Sequence, residues 1–406
     1  MNYRNKFLVI LISTVLVFYA VVGGLLGRGA SDEGAYPQLA IFNEVLAKIK
    51  GSYVEDPNLS KVIHGALRGL LESLDPYSTY LTAEENARYQ TRKSDVDVGL
   101  ELSKEKILGY VYVIHPIEGG PSAQAGVRSG DVIESIEGVT TRNISLFQAS
   151  HLLSGEMGSR VNLKILRRGQ TEPVQMSVPR KKLQLPPVRS RLLEKKIGYL
   201  RVARFVGGVS DVIREKIQDL GAQGANGLVL DLRDCGGDEF DEGVKVANLF
   251  LDHGVIAYSR GQKSPKQEFV ADPAKVVSTL PLVVLQNYGS ASAAEIVSVA
   301  IKENHRGDIV GGRSFGKASV QKLIPLEDSS AVLLSIAKFY SQSGQIIQGK
   351  GVSPDYEVAD GRVELPSSQQ AVSPDKDPSL RKGNDLQLKK AIELLTAPAD
   401  QKRQAA

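Results

Sequence analysis

A serine and a lysine 25 residues apart, Ser292 and Lys317, each stand in a setting that suits a nucleophile and its base. The run Pro281 to Gln286 (PLVVLQ) has the length and the Val/Leu content of a buried strand. Asn287, Tyr288 and Gly289 break it, and Ser290-Ala291-Ser292-Ala293-Ala294-Glu295 then opens a helical pattern through Ile296, Val297 and Val299. The first N–H groups of a helix are unpaired and carry partial positive charge, so a serine at this turn has oxyanion donors beside it. After a second short strand, Asp308 to Val310, the lysine closes the run Gly311-Gly312-Arg313-Ser314-Phe315-Gly316-Lys317, among glycines and a phenylalanine. Plainer readings stand next to these. Ser292 with Glu295 makes a capping-box pattern, so the serine could serve only to start the helix. Lys317 and Gln321, taken singly, read as solvated surface residues.

A lysine is a base only when neutral. At its reference pKa near 10.4 about 4 in 10,000 side chains are neutral at pH 7, and bringing that pKa to about 7 takes about 4.6 kcal/mol of destabilisation of the ammonium. Burial without a charged partner can supply this. Lys317 is therefore expected in a mostly apolar pocket, its amine near the Ser292 hydroxyl and no carboxylate paired with it. Gln321 could orient the amine through its amide oxygen. Ser292 would then attack a peptide carbonyl and form an acyl-enzyme, the Ser–Lys variant of the triad logic.

The segment Asn287 to Gln321 resembles the catalytic region of the C-terminal processing peptidases, also called tail-specific proteases. In that family the second serine of a Ser-Ala-Ser-Ala-x-Glu-Ile run is the nucleophile and a Phe-Gly-Lys lysine is the general base. The matching positions here are Ser292 and Lys317, and the family's glutamine after the lysine falls on Gln321. Three further motifs follow the family's order: Leu74-Asp75-Pro76-Tyr77-Ser78-Thr79-Tyr80-Leu81, Val229 to Arg233 with Gly236-Gly237, and Gly349-Lys350-Gly351-Val352 with Pro354-Asp355. The resemblance spans residues 36–358. It implies a serine endopeptidase with a PDZ domain, a crotonase-like α/β core and no cofactor. Oxyanion donors would be the N–H of Ala293 and an N–H of the Gly236-Gly237 turn. Where the family has Asn-x-Gly-Gly, this chain has Asp234-Cys235-Gly236-Gly237, then Asp238 and Glu239. A carboxylate close to Lys317 would raise its pKa and oppose catalysis.

These residues need a scaffold, and the chain divides into an α/β multidomain protein: membrane anchor and short linker (1–34), helical N-terminal region (35–95), PDZ domain (96–182), α/β serine protease core (183–358), and polar linker with a short C-terminal helix (359–406). Phe7 to Gly27 carries no charge and at ~1.5 Å per residue spans about 31 Å, enough for a bilayer. Arg4 and Lys6 precede it, so the body would face the periplasm or the cell exterior. Leu39, Phe42, Val45, Leu46 and Ile49 recur at helical spacing, as do Val62, Leu67, Leu70, Leu71 and Leu74. This helical pair could be a homodimerisation arm or a packing cap. The strand-rich stretch Val96 to Pro179 resembles a PDZ domain, whose candidate peptide-carboxylate loop is Val98, Gly99, Leu100, Glu101 and Leu102. Many relatives have a more glycine-rich start to this loop, and several carry an arginine where Ser154 stands. The core alternates strands (Gly198–Phe205, Gly227–Asp231, Pro281–Gln286, Asp308–Val310) with helices (Ser210–Leu220, Glu242–Leu251, Ser292–Glu303), a pattern for parallel pairing.

The chain has 406 residues, 42% hydrophobic, with a net charge of +4 and no basic cluster long enough for nucleic acid. Its single cysteine, Cys235, allows no intramolecular disulfide and reads as a small buried residue. The five histidines, His64, His115, His151, His253 and His305, show no metal-ligand spacing; a Ser-His-Asp scheme through His305 is the less favoured chemistry. Two readings of function remain: an anchored endopeptidase fed by a PDZ domain that binds unstructured C-terminal tails, and a catalytically silent PDZ adaptor of the same fold.

Overall fold

The computed structural model describes residues 14, 36–91, 96–104, 108–167, 169–183, 188–359 and 385–397. The anchor expected over residues 7–27 lies outside them but for Thr14, and among the described residues no helix is long and apolar enough to cross a membrane. The chain falls into two compact units, residues 1–66 and 67–406. In the first, helix α1 (Tyr36–Ser52) follows the apolar spacing and leaves Leu39, Ile41 and Val45 exposed. Helix α2 (Leu59–Glu72) starts where the Asn58 side chain accepts the Lys61 N–H at 3.0 Å, and it stops short of Asp75-Pro76.

After the end of α2, which falls in the second unit, come strand β1 (Thr79–Leu81) and helix α3 (Ala83–Thr91), which a reciprocal Thr82/Glu85 box begins. Strands β2 (Val96–Asp97), β3 (Leu100–Lys104), β4 (Val111–Pro116), β5 (Val132–Ile136), β6 (Val139–Thr140), β7 (Arg160–Leu166), β8 (Val174–Pro179) and β9 (Lys181–Lys182) follow, with helices α4 (Pro121–Gln124) and α5 (Leu146–Leu153). An antiparallel sheet runs β3-β4-β5-β7-β8, leaving β3 at its edge. Val111, Val113, Ile133, Ile136, Val161, Leu163 and Ile165 pack with Ala149 and Leu153 of α5 into one core. Between Glu101 and Leu102 the register of β3 against β4 shifts.

The remaining elements are β10 (Val188–Leu192), β11 (Ile197–Val202), α6 (Val209–Ala222), β12 (Gly227–Asp231), α7 (Phe240–Asn248), β13 (Val255–Arg260), β14 (Gln267–Val270), β15 (Leu282–Gln286), α8 (Ala293–Glu303), β16 (Asp308–Gly311), β17 (Ser319–Pro325), β18 (Ala331–Tyr340), β19 (Tyr356–Glu357) and α9 (Leu386–Thr396). A sheet ordered β10-β11-β12-β15-β16-β19 is parallel from β11 onward. Leu228, Leu230 and Val284 face helices α6 to α8, while Tyr199, Val229, Val283 and Leu285 face Leu388 and Ala391 of α9. Covering on both faces explains why β15 reads as an unbroken apolar run. The terminal helix, read from sequence only as a short appendage, is thus the lid of one sheet face. Arg233 fixes it through Asp385, with oxygens at 2.9 Å, and pairs with the buried Asp231. Strand β1 joins a second sheet beside β18, which also carries β13 and β17.

Candidate active site

The carboxyl ends of β12, β15 and β16 lead into the Asp234–Gly237 turn, the Ser292 turn and the loop to Lys317, so adjacent parallel strands deliver all three parts to one edge of the sheet. Ser292 is fully buried at the N-cap of α8, with φ 55° and ψ −121°. A side chain in that conformation costs about 1–3 kcal/mol and persists only when its surroundings over-determine it. They do: Ser290 Oγ donates to the Leu232 carbonyl at 2.7 Å, and the Ala291 N–H donates to the Cys235 carbonyl at 2.9 Å. Glu295 accepts the Ser292 N–H at 3.0 Å, and with the Ser292 side chain facing the Glu295 N–H this forms the capping box read from sequence. The serine's hydroxyl still has its proton to give. It donates to Asp238 Oδ1 at 3.1 Å.

The environment of Lys317 corrects the expectation of an apolar pocket without a carboxylate. The residue is buried, 8% exposed, but its amine donates to Glu101 Oε1 at 2.5 Å and lies 2.9 Å from Asp238 Oδ1. Burial alone would push the amine's pKa down; Glu101 and Asp238 outweigh it, and the pKa lies above the ordinary lysine range. Glu101 is the firmer partner because Asp238 is largely exposed to water, which screens it. Asp238 bridges the serine hydroxyl and the amine, so Ser292 and Lys317 meet through a carboxylate. In this state the lysine is a cation.

The Gly236-Gly237 turn, the candidate for the oxyanion, is likewise occupied. The Ala293 N–H donates to the Gly237 carbonyl at 3.3 Å, the position an oxyanion would need. Gly237 has φ 130°, and a Cβ there would lie 2.2 Å from the Phe205 carbonyl oxygen, so no other residue fits. Gly236 packs beneath His115 of β4, where a Cβ would come 2.9 Å from the ring's Cε1. His115 is buried, its Nδ1 has no hydrogen-bond partner among the described residues, and burial pushes its pKa down. Glu101 and His115 are cross-strand partners. One face of the β3–β4 ladder therefore meets both Lys317 and the Gly236-Gly237 turn. Asp234 accepts from Asn287 Nδ2 and from Ser129 Oγ, each at 3.0 Å. It ties the turn to the nucleophile loop and to the β4–β5 connection, and does not touch Lys317 by any described hydrogen bond.

Glu295 is the hub. Its buried carboxylate accepts Ser314 Oγ at 2.5 Å and the N–H groups of Gly316, Lys317 and Ser292 at 2.7, 2.8 and 3.0 Å. Burial raises its pKa to about 7 in spite of these donors. No described hydrogen bond joins Gln321 to the lysine; its amide nitrogen donates to Ser319 Oγ at 3.4 Å. Within the candidate peptide loop, the Gly99 N–H is taken by Asp97 Oδ1 at 2.6 Å, Val98 accepts from the Ser122 N–H, and Leu100 and Leu102 pair with β4. Glu101 alone of the five enters the catalytic site. Cys235 is buried, and burial pushes its thiol to about 12, so it is no nucleophile. Glu101, Tyr77 and His115 were not assigned to this site from sequence, since nothing local reveals that a strand from the preceding domain docks here.

Residues 196–358 match Peptidase family S41, and residues 112–167 match a PDZ domain. A carboxy-terminal-processing protease of Bartonella bacilliformis is 35% identical over 81% of this chain and 76% of its own length. A chloroplastic C-terminal processing peptidase of Tetradesmus obliquus is 32% identical over 80% of this chain and 74% of its own. A solved photosystem II D1 C-terminal processing protease superposes with a TM-score of 0.68 at 30% identity, covering 79% of this chain and 92% of that one.

Proposed function

This chain belongs to Peptidase family S41 and is a serine-type peptidase of the carboxy-terminal-processing kind, and from that premise we propose that Ser292 and Lys317 are its nucleophile and general base. The observation that carries the assignment is the strained, buried Ser292 joined to Lys317 through one carboxylate, at the carboxyl ends of neighbouring parallel strands. Glu101 first withdraws from the amine and Asp238 swings toward water. Lys317, buried and unpaired, then sheds its proton. The Ser292 hydroxyl attacks the scissile carbonyl as its proton passes to Nζ, and the tetrahedral oxyanion is received by the Ala293 N–H and an N–H of the Gly236-Gly237 turn. This last step needs the Gly237 carbonyl to turn away. Lys317 returns the proton to the leaving amine, and water hydrolyses the acyl ester by the same route. Gln321 would orient the amine once it leaves the carboxylates.

The described state is then the resting enzyme, held by the PDZ strands. An unstructured C-terminal tail adding to the free edge of β3, beside α5, would draw Glu101 away with it. Residues 7–27 would anchor the chain in a membrane with the body outside the cytoplasm, and the exposed apolar residues of α1 suit a homodimer contact. An adaptor reading has one observation in its favour, the ion-paired lysine. Turnover of an unstructured protein substrate by the parent, Ser292→Ala and Lys317→Ala separates the two. The dyad requires losses of about 10³-fold or more in both variants. Equal turnover by all three removes it, and tail binding without turnover by the parent supports the adaptor.

A further inference from the structure

The Asp75-to-Leu81 motif reaches the site through one side chain. The Tyr77 ring centroid lies 5.6 Å from Lys317 Nζ, within reach of a cation–π attraction, and the residue is buried. Its backbone is held by its own turn. Asp75 Oδ1 accepts the N–H groups of Tyr77 and Ser78 at 2.8 and 2.9 Å, and Asp75 Oδ2 accepts Ser78 Oγ at 2.9 Å. That turn is bolted to β18: the Ser335 N–H donates to Ser78 Oγ at 3.1 Å, and Ser335 Oγ donates to Asp75 at 3.2 Å. The next three residues form β1, paired with β18, and β18 also pairs with β17, which opens just after Lys317. Tyr77 and Lys317 therefore hang from one sheet. Glu101 and Ser103 belong to β3 of the other. The described polar link from the tyrosine to β3 is a single hydrogen bond between its hydroxyl and Ser103 Oγ, 2.9 Å long.

We propose that Tyr77 is a positioning residue for the base: when Glu101 withdraws with β3, the ring stays beside Nζ, holds it toward Ser292 and keeps water from it. This rests on the assignment of Lys317 as the base. The ring face attracts the cation, but water hydrates an ammonium better still, so an amine that exchanges this flank for water binds its proton more tightly. The ring accordingly makes the neutral amine accessible near neutral pH, while the hydroxyl only moors it to the resting PDZ strand.

The test is the pH profile of kcat and KM for the full chain on an unstructured substrate, comparing the parent with Tyr77→Phe, Tyr77→Ala and Tyr77→Gln, and with Lys317→Ala as control. In the Ala and Gln variants the acid limb of kcat moves up by about one pH unit, which is about a tenfold loss at pH 7 that recovers above the limb, with KM unchanged. Phe keeps the parent's limb. Gln retains bulk, so it carries the expectation should Ala fail to fold. An unmoved limb in Ala and Gln, a loss of equal size at every pH, or a Phe variant that behaves like Ala overturns the proposal while leaving the dyad standing. Parent-like turnover by Lys317→Ala overturns both.

Discussion

Glu101 and Lys317 lie 216 residues apart in the chain and meet at 2.5 Å, a strand of the PDZ sheet closing on the lysine that ends the loop after β16. The contact sets the charge of the site. It also makes the first prediction.

Glu101→Gln should free the amine partly, leaving only the exposed Asp238 against it. Loss of a close carboxylate lowers a partner's pKa by about 1–3 units, so turnover of a short peptide without a bindable tail should rise about tenfold or more at pH 7. Assays of that peptide with and without an added tail peptide check it. A variant that is slower than the parent, or equally dependent on the tail, speaks against the latch.

Arg233 carries a buried network of a different kind. Asp231 is buried, burial works against its charge, and Arg233 and Arg201 hold its pKa well below the usual carboxylate range. A depressed carboxylate contributes stability that is present above its unfolded pKa of about 3.9 and is lost as pH falls toward the folded value. Arg233→Met removes the guanidinium from that charge, leaving it Arg201 and the Tyr199 hydroxyl, and releases α9. It should cost about 3–5 kcal/mol in denaturant unfolding at pH 7, and the deficit should shrink as Asp231 is protonated in strong acid. A variant with parent-like stability at pH 7 removes the network from the account.

Glu295 tests the link between the serine and lysine loops. Glu295→Gln puts an amide with one acceptor where four donors converge, so it should cost about 2–4 kcal/mol and about 10²-fold or more in kcat. Its pH signature has the opposite sign to that of Asp231. With a folded pKa raised to about 7, the carboxyl contributes stability that is complete below about 4.3 and is lost as pH rises through 7. Unfolding measured from pH 4 to 8 should show that slope flattened in Glu295→Gln; an unchanged slope assigns it to other groups.

Much of this molecule is legible from its sequence, and the misses share a cause. Strand β12 occupies Gly227–Asp231 as read, and β15 differs by one residue, because parallel strands covered on both faces are written as plain apolar runs. Ser292 and Lys317 are readable because their turns must be made of small residues. Their state is not readable. The charge on Lys317 depends on Glu101, whose sequence neighbours point only to a PDZ loop, and the register shift beside it has no local signature. Asp238 could be suspected from its place after Gly236-Gly237, and it does take the serine hydroxyl. Gln321 was read by analogy of spacing, yet its strand carries a register shift at Val320/Gln321 that leaves its amide on Ser319. Tertiary docking decides all three.

The most direct measurement is the protonation of the Lys317 amine itself, followed by NMR of side-chain-labelled lysine from pH 5 to 11 and assigned by its absence in Lys317→Arg. In the resting parent the amine should stay cationic across that range. In a Glu101→Gln/Asp238→Asn double variant that hydrolyses peptide unaided, burial acts unopposed, and the amine should titrate below the ordinary lysine value of about 10.4, toward neutrality. A double variant that turns over substrate while this nitrogen keeps its proton to pH 10 or beyond would contradict the base assigned here.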